Sequence, residues 1–388
     1  MILVLLFLSG CVGTEVNDPF AGNLVKVPGG TFVMGNSLDA QLKVGELKAQ
    51  NVKVDDFMID SAAATNEEYR AFVRESKYKT DSEKFGWSFV LRYHATDKAK
   101  ELSESEVKEA QHWLAVPQAY WRAPDGPGSG ISTVLDHPAT HISFEDALAY
   151  CKWRGLRLPT EAEWERAARG GVSEQRYPWG NEKPFEGDEW RLNVWQGKFP
   201  DENSEKDGFG TTCPSRHFEA NGYGLYNVLG NVWEWTSTKY VDPLRPPKPK
   251  DPEQRVLRGG SFLDSVDGSF NHFVDMNTRM PNTRDSASSN TGVRCAKSVK
   301  KKKSPGTGYR YPKPAVKKAK PQMDQAELQR IFEEGGVEAL QAHLGSGATV
   351  TTPGKLKEKQ AELKRQLKEM EEQARGGSDE NPDEHIEL

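Results

Sequence analysis

The sequence predicts an α+β domain with few helices, short strands and little regular secondary structure. Three observations indicate this class. The 388 residues include 35 glycines and 23 prolines, which favour turns, and ten tryptophans, which favour aromatic anchors in a compact core. Two stretches carry complete helix signals. Beyond those two, the chain consists mainly of short apolar segments separated by turns.

Both predicted helices have start and stop signals. In SFEDALAYCKWRG, Ser143 is the N-cap and Gly155 ends the helix. In LPTEAEWERAARGG, Thr160 and Glu163 form a capping box and Gly170 ends the helix. Apolar residues at helical spacing predict the buried face of the first helix, namely Phe144, Ala147, Leu148 and Cys151. The corresponding face of the second helix is Trp164, Ala167 and Ala168.

Two glycine pairs predict tight turns. In VPGGTFVMG, residues 27–35, the turn joins two short strands. In RGGSFLDSVDGSFNH, residues 258–272, the Gly-Gly-Ser turn predicts a close approach of the backbone to another part of the fold.

Composition divides the chain into a large domain with smaller flanking segments. The predicted segments are a signal peptide (1–13), a globular domain (23–296), a basic Pro- and Lys-rich linker (297–322), a helical tail (323–375) and an acidic tail (376–388). The net charge of −5 argues against general nucleic-acid binding, and no segment is long enough for a transmembrane helix.

The two ends of the chain predict its compartment. The apolar start is too short to span a bilayer and is typical of a secretory signal, although LSGC at residues 8–11 also resembles a bacterial lipoprotein cleavage site. The final HIEL resembles an endoplasmic-reticulum retrieval signal, which bacteria do not use. The two ends together favour a soluble protein of the endoplasmic-reticulum lumen that the retrieval receptor binds. In that oxidising lumen we expect two of the three remaining cysteines to pair.

A series of motifs resembles one family. HPATHISFEDALAYCKWRGLRLPTEAEWERAARGG, YPWGN, GYGLYNVLGNVWEWT, VLRGGS and SNTGVRC occur in the order of the formylglycine-generating enzyme family, the sulfatase-modifying factors. The resemblance runs from about Val25 to Ala296 and implies a single domain related to C-type lectins, with bound calcium. It also implies that active members use oxygen and a copper-bound cysteine pair to oxidise a sulfatase cysteine to formylglycine.

One loop departs from the catalytic pattern. In active members, one cysteine lies three residues after the Gly-Gly-Ser serine, and the second follows in the same loop. Here the serine is Ser261, the first position is Asp264, the second falls near Ser269, and the only sulfur in the loop belongs to Met276. Cu(I) selects soft sulfur ligands, which oxygen donors cannot replace. The sequence therefore predicts a non-catalytic family member with no catalytic residue.

The resemblance also implies ligand sites. Calcium ligands of the first set are the Asn193 and Asp207 side chains with the Val194 and Phe209 carbonyls. Those of the second set are the Asn227 and Glu234 side chains with the Gly230 and Val232 carbonyls. A groove for a sulfatase peptide is implied at Trp233, Ser261 and Asn290, with the alternative that Trp233 fills the core. A disulfide is implied between Cys151 and Cys295, which leaves Cys213 unpaired and buried.

These features predict a protein that binds sulfatases, the active enzyme or both, forms a homodimer or heterodimer, and modulates sulfatase activation by inhibition. Two alternatives stay open. One is a divergent metal-dependent oxidoreductase on the same fold, with a metal held by His137, His141 and Asp264, although Pro138 favours a loop there. The other is a lectin-like or scaffolding module that acts through its helical tail.

Overall fold

The computed structural model describes residues 18–299, with gaps at 40, 43–44, 104–105, 108–109, 188 and 243–251. The predicted signal peptide, the linker beyond residue 299, the helical tail and the acidic tail lie outside the described residues. Within the described part of the chain, no helix combines the length and the apolar character that crossing a bilayer requires.

The α-helices of the described ranges share one start signal: each follows a serine or threonine N-cap whose side chain accepts a backbone N–H. They are α1 (Asn66–Ser76), α2 (Asp81–Phe85), α3 (Asp97–Leu102), α4 (Phe144–Trp153) and α5 (Glu161–Ala168). The caps predicted at Ser143 and Thr160 begin α4 and α5, and both form capping boxes. The predicted apolar faces are buried, except that Leu148 is only partly buried.

A 3-10 helix (Ala21–Asn23) precedes the first strand, and short strands make up the rest of the regular structure. They are β1 (Leu24–Val27), β2 (Gly30–Met34), β3 (Gln50–Val54), β4 (Phe57–Asp60), β5 (Trp87–Leu91), β6 (Glu106–Val107), β7 (Ala110–Pro117), β8 (Phe185–Glu186), β9 (Glu189–Trp190), β10 (Trp233–Lys239), β11 (Gln254–Arg258), β12 (Arg279–Thr283), β13 (Thr291–Gly292) and β14 (Ala296–Ser298). The α+β class with many turns is therefore confirmed, and the predicted glycine-rich turn separates β1 from β2.

The sheets are small. The largest has the order β12-β11-β10-β13, in which β10 and β13 run parallel and the other pairs are antiparallel. A second sheet has the order β1-β4-β14, a third has β5-β7-β6, and β2–β3 and β8–β9 form two-stranded pairs. The parallel pairing sets Trp233 opposite Thr291, which brings two distant segments together.

A disulfide joins two segments of one core cluster that lie 144 residues apart in sequence. Cys151 in α4 is bonded to Cys295, which directly precedes β14, and their Cα atoms are 5.6 Å apart. The surrounding cluster contains Tyr150, Trp233 and Trp235. The implied pairing is present, and Cys213 is buried and unpaired.

Buried ion pairs hold the strand that leads into the Gly-Gly-Ser turn. Arg258, at the end of β11, donates to Glu161 (2.7 Å) and Glu165 (2.8 Å) of α5. Arg279 of β12 also donates to Glu161, at 2.8 Å. All these side chains are buried, so each charge needs its partner and the network fixes β11 and β12 on α5.

The turn itself accommodates no side chain at its two glycines. Gly259 and Gly260 have φ angles of +98° and +74°. A Cβ atom at Gly259 would lie 2.9 Å from the Val228 carbonyl oxygen, and one at Gly260 would lie 2.9 Å from a methyl group of Val274. The predicted close approach is confirmed, and it places Ser261 inside the fold.

Candidate functional site

Asp264 is the centre of the loop that follows the turn. Its Oδ2 accepts hydrogen bonds from the Ser261 N–H (2.8 Å) and the Ser261 hydroxyl (2.7 Å). Its Oδ1 accepts one from the His272 N–H (3.1 Å) and lies 3.1 Å from His272 Nδ1. Asp264 is 2% exposed, so the carboxylate is buried and both of its oxygens are engaged inside the loop.

Asn290 and Trp233 complete this group, which we call the Asp264 network (Trp233, Ser261, Asp264, His272 and Asn290). The Asn290 side-chain amide donates to the Ser261 hydroxyl oxygen at 3.0 Å. The Trp233 backbone N–H donates to the Asn290 carbonyl at 2.9 Å. The structure therefore brings together the three residues for which the resemblance implies a peptide groove.

Trp233 is a core residue. It is 1% exposed and packs with the buried residues of the disulfide cluster. The His272 ring stands edge-on to it, with the ring centroids 5.0 Å apart and the planes at 78°. The packing is that of the core alternative, and a peptide does not stack on so deeply buried a ring in this conformation.

His272 is the residue of the Asp264 network that the sequence did not point to. Its side chain is 35% exposed, whereas its partner Asp264 is buried. No motif or spacing marks a histidine eight residues after Asp264. Only the folded loop, in which Ser265 pairs with Phe273, brings the two side chains together.

The loop offers oxygen and nitrogen ligands but no thiolate. Ser269 lies on an exposed turn, where its N–H donates to Asp267, and Met276 is buried in another core cluster. Cys213 makes its contacts with Asn227 and Asn231, and burial raises the pKa of its thiol to about 12. These groups do not fit a copper ion that needs two convergent thiolates.

The first oxygen set has one unpaired ligand oxygen, while its Val194 carbonyl accepts from the Gln196 side chain at 2.5 Å. Asn193 Oδ1 is buried and has no hydrogen-bond partner among the described residues, while its Nδ2 donates to the Thr211 carbonyl at 2.8 Å. Asp207 accepts from the N–H groups of Val194 (2.9 Å) and Phe209 (3.0 Å), and burial raises the pKa of its carboxyl. A hard cation such as Ca²⁺ would coordinate the unpaired amide oxygen of Asn193 and stabilise the charged form of the buried Asp207 carboxylate.

The second oxygen set is already engaged. Glu234 is 1% exposed, and its carboxylate accepts from Arg294 at 2.8 and 2.9 Å and from the Trp164 indole at 2.6 Å. Asn227 Oδ1 accepts from the Phe218 N–H at 3.4 Å. Because Arg294 neutralises Glu234, only the Gly230 and Val232 carbonyls and Asn227 are left to receive a cation. This set fits calcium less well than the first.

The alternative metal triad is not assembled. His141 is buried, with Nδ1 2.8 Å from the Ser88 hydroxyl and Nε2 2.8 Å from the Pro124 carbonyl. His137 Nδ1 lies 3.0 Å from the Thr212 hydroxyl, and Asp264 is bonded to Ser261 and His272. The interpretation of His137, His141 and Asp264 as one metal site is therefore wrong, because each binds separate partners.

One group of carboxylates in the described part of the chain lies close enough to hold a metal ion, namely Asp39, Glu46 and Asp275. Arg176 pairs with Asp39 at 2.8 Å and with Asp275 at 3.1 Å. A guanidinium thus already balances part of this charge, and none of the predicted ligands belongs to the group.

Comparison with known proteins places these observations in a family. The family model described as "Sulfatase-modifying factor enzyme 1-like domain" matches residues 14–299. "Inactive C-alpha-formylglycine-generating enzyme 2" of Bos taurus is 47% identical over 298 residues, which cover 76% of this chain and 94% of the relative. "Formylglycine-generating enzyme" of Thermomonospora curvata is 45% identical over 287 residues, which cover 71% and 93%. The relatives named inactive, at 46–47% identity, are thus slightly more similar to this chain than this enzyme is.

Among solved structures, PvdO from Pseudomonas aeruginosa has a TM-score of 0.51 at 20% identity, covering 71% of this chain and 94% of that one. At this identity the match shows a shared fold. The chain belongs to the sulfatase-modifying factor family, and its similarity to relatives named inactive supports a non-catalytic paralogue of the formylglycine-generating enzyme.

Proposed function

We propose that this protein is a non-catalytic regulator of the endoplasmic-reticulum lumen, which binds sulfatases, the active formylglycine-generating enzyme or both and inhibits sulfatase activation. One observation carries the proposal. Asp264, at the position where the resemblance places the first copper-binding cysteine, is buried and engaged by Ser261 and His272. Hydrogen bonds to the Asp264 carboxylate therefore order this loop, and the loop carries no thiolate that could bind copper.

The order of this loop supports binding rather than loss of function. Asn290, Ser261 and Asp264 form a continuous chain of hydrogen bonds across segments that lie far apart in sequence. A polar network with its partners in place rigidifies the surface around it. The groove that the resemblance implies, held rigid in this way and without thiolates, would bind a peptide without converting it and so would compete with the active enzyme.

The test measures sulfatase-peptide conversion by the active enzyme while the full chain is added. If the chain sequesters the peptide, the apparent KM rises and kcat stays constant. If it binds the enzyme away from the peptide, kcat falls instead. Unchanged kinetics together with no saturable binding to either partner would contradict the proposal.

The location forms part of the same proposal. The disulfide between Cys151 and Cys295 supports an oxidising compartment, and the HIEL end supports capture by the retrieval receptor. Removing the last four residues should send the protein from the endoplasmic reticulum to the medium. Retention without them would contradict retrieval by this signal.

Calcium is proposed as a structural ion. Asn193, Val194, Asp207 and Phe209 would hold it, and its role would be to stabilise the segment that precedes Cys213.

A further inference from the structure

We infer that His272 is the residue through which the Asp264 network contacts its ligand, with ring atom Nε2 accepting a hydrogen bond from the peptide side chain at the sulfatase cysteine position. The inference rests on the proposed function, because it takes the ligand to be a sulfatase peptide. What it adds is the contacting atom and the chemical preference that this atom imposes.

Exposure singles out His272. Trp233, Ser261, Asp264 and Asn290 are all buried, whereas the His272 side chain is 35% exposed. The buried polar groups are also engaged with one another, since Asn290 donates to Ser261 and Ser261 donates to Asp264. A ligand that approaches this network therefore meets His272 first.

The hydrogen bond between His272 and Asp264 identifies the ring nitrogen that carries a hydrogen. A carboxylate accepts hydrogen bonds, so Nδ1, at 3.1 Å from Asp264 Oδ1, carries the hydrogen. In the neutral ring Nε2 then has the lone pair and is an acceptor. Among the described residues no hydrogen bond to Nε2 is found.

Two further contacts fix the ring in place. The backbone N–H of His272 also donates to Asp264, and the ring packs edge-on against Trp233. A histidine oriented in this way by a carboxylate presents its other nitrogen in a defined direction, as in many sites where a histidine binds a ligand.

A nitrogen acceptor should give a different order of peptide affinities from a site in which copper-bound thiolates hold the peptide. A hydroxyl is a good hydrogen-bond donor, a thiol is a weak one, and a methyl group donates none. We therefore expect peptides with serine at the cysteine position to bind at least as tightly as the cysteine peptide, and the alanine peptide to bind more weakly. A site that depends on sulfur would reject the serine peptide.

The experiment measures Kd for these three matched peptides with the full chain, using freshly reduced peptides and no added reductant, so that the native disulfide stays intact. The alanine peptide should bind about 3-fold to 10-fold more weakly than the serine peptide, which corresponds to one net hydrogen bond.

Variants of His272 isolate the Nε2 contribution. In His272→Asn, the shorter amide still donates to Asp264 but offers no acceptor at the Nε2 position, so the three peptides should bind alike. His272→Gln carries an amide that reaches the Nε2 position and should recover part of the ranking. The exposed Asp201→Asn change, which lies outside this loop, should leave the ranking as in the wild type.

Each outcome of these peptide titrations tests one part of the inference. Equal binding of the serine and alanine peptides to the wild type, or a ranking that persists in His272→Asn, overturns the role of His272 and leaves peptide binding intact. If the wild type binds none of the peptides, the peptide-binding part of the proposed function fails, and this inference fails with it.

Discussion

The Asp264 carboxylate holds Ser261 by two hydrogen bonds, one from the backbone N–H at 2.8 Å and one from the hydroxyl at 2.7 Å. The same side chain holds the backbone of His272. An acidic residue thus closes the loop in which the resemblance places the cysteines of the active enzymes, and its hydrogen bonds order this loop.

Replacement of Asp264 should destabilise the fold. Asp264→Ala leaves the buried N–H of Ser261 and the N–H of His272 without acceptors, so we expect the free energy of unfolding to fall by about 1–3 kcal/mol. Ser269→Ala, in the exposed part of the loop, should change it by less than about 0.5 kcal/mol. Denaturant unfolding measures both, and equal effects would contradict the assigned role of Asp264.

Calcium should stabilise the protein through the first oxygen set. At 100 times its Kd, an ion that binds only the folded state adds about 2.7 kcal/mol to the free energy of unfolding. The calcium-dependent gain should disappear in Asp207→Asn and persist in Asp201→Asn, a matched change at an exposed position. Thermal unfolding with calcium and with chelator measures the gain, and the same gain in both variants would exclude Asp207 as a ligand.

The buried pair of Glu234 and Arg294 should contribute far more to the free energy of unfolding than an exposed ion pair does. Arg294→Met leaves a buried carboxylate without its cation, which costs about 3–5 kcal/mol. Arg284→Met removes a pair with Glu145 that is more than a third exposed and should cost less than about 1 kcal/mol. The loss in Arg294→Met should be the same with and without calcium. A loss that calcium cancels would show instead that the second oxygen set binds the ion.

Stability should depend on pH through Asp125. Burial raises the pKa of this carboxyl to about 6, above its ordinary value of 3.8. The folded state therefore holds a proton that the unfolded state has released between about pH 4 and pH 6, so this group lowers the free energy of unfolding as the pH rises through that window.

Asp125→Asn removes this effect. We expect the variant to exceed the wild type by about 1–2 kcal/mol at pH 7.5, after allowance for partial solvent exposure, and to equal it at pH 4. Unfolding at the two pH values measures the difference. A difference that is the same at both would contradict the raised pKa of Asp125.

Local signals in the sequence were sufficient to predict part of the fold. Ser143 and Thr160 begin helices because a cap needs only neighbouring residues, and the capping boxes are read within four positions. The same signal at Thr65 and Glu68 begins α1, which the sequence analysis did not select although the motif was present. The pairing of Cys151 with Cys295 followed from the family resemblance, not from spacing.

The site depends on contacts that no local pattern encodes. Glu234 meets Arg294 from a distant part of the chain, and that pairing changes the suitability of the second oxygen set for calcium. Trp233 is covered by His272 because a loop folds back on itself. The residue types suggested a peptide groove. Which residues of the Asp264 network are buried and which are exposed depends on tertiary packing.

The most direct test of the central claim is the formation of aldehyde. The purified full chain is incubated with a sulfatase-motif peptide, oxygen and copper, and the peptide mass is followed for conversion of its cysteine to formylglycine. We predict no conversion, because the loop in which the resemblance places the copper-binding cysteines offers Asp264 and hydroxyl groups but no thiolate. Aldehyde that accumulates over several turnovers, without any added enzyme, would contradict the account.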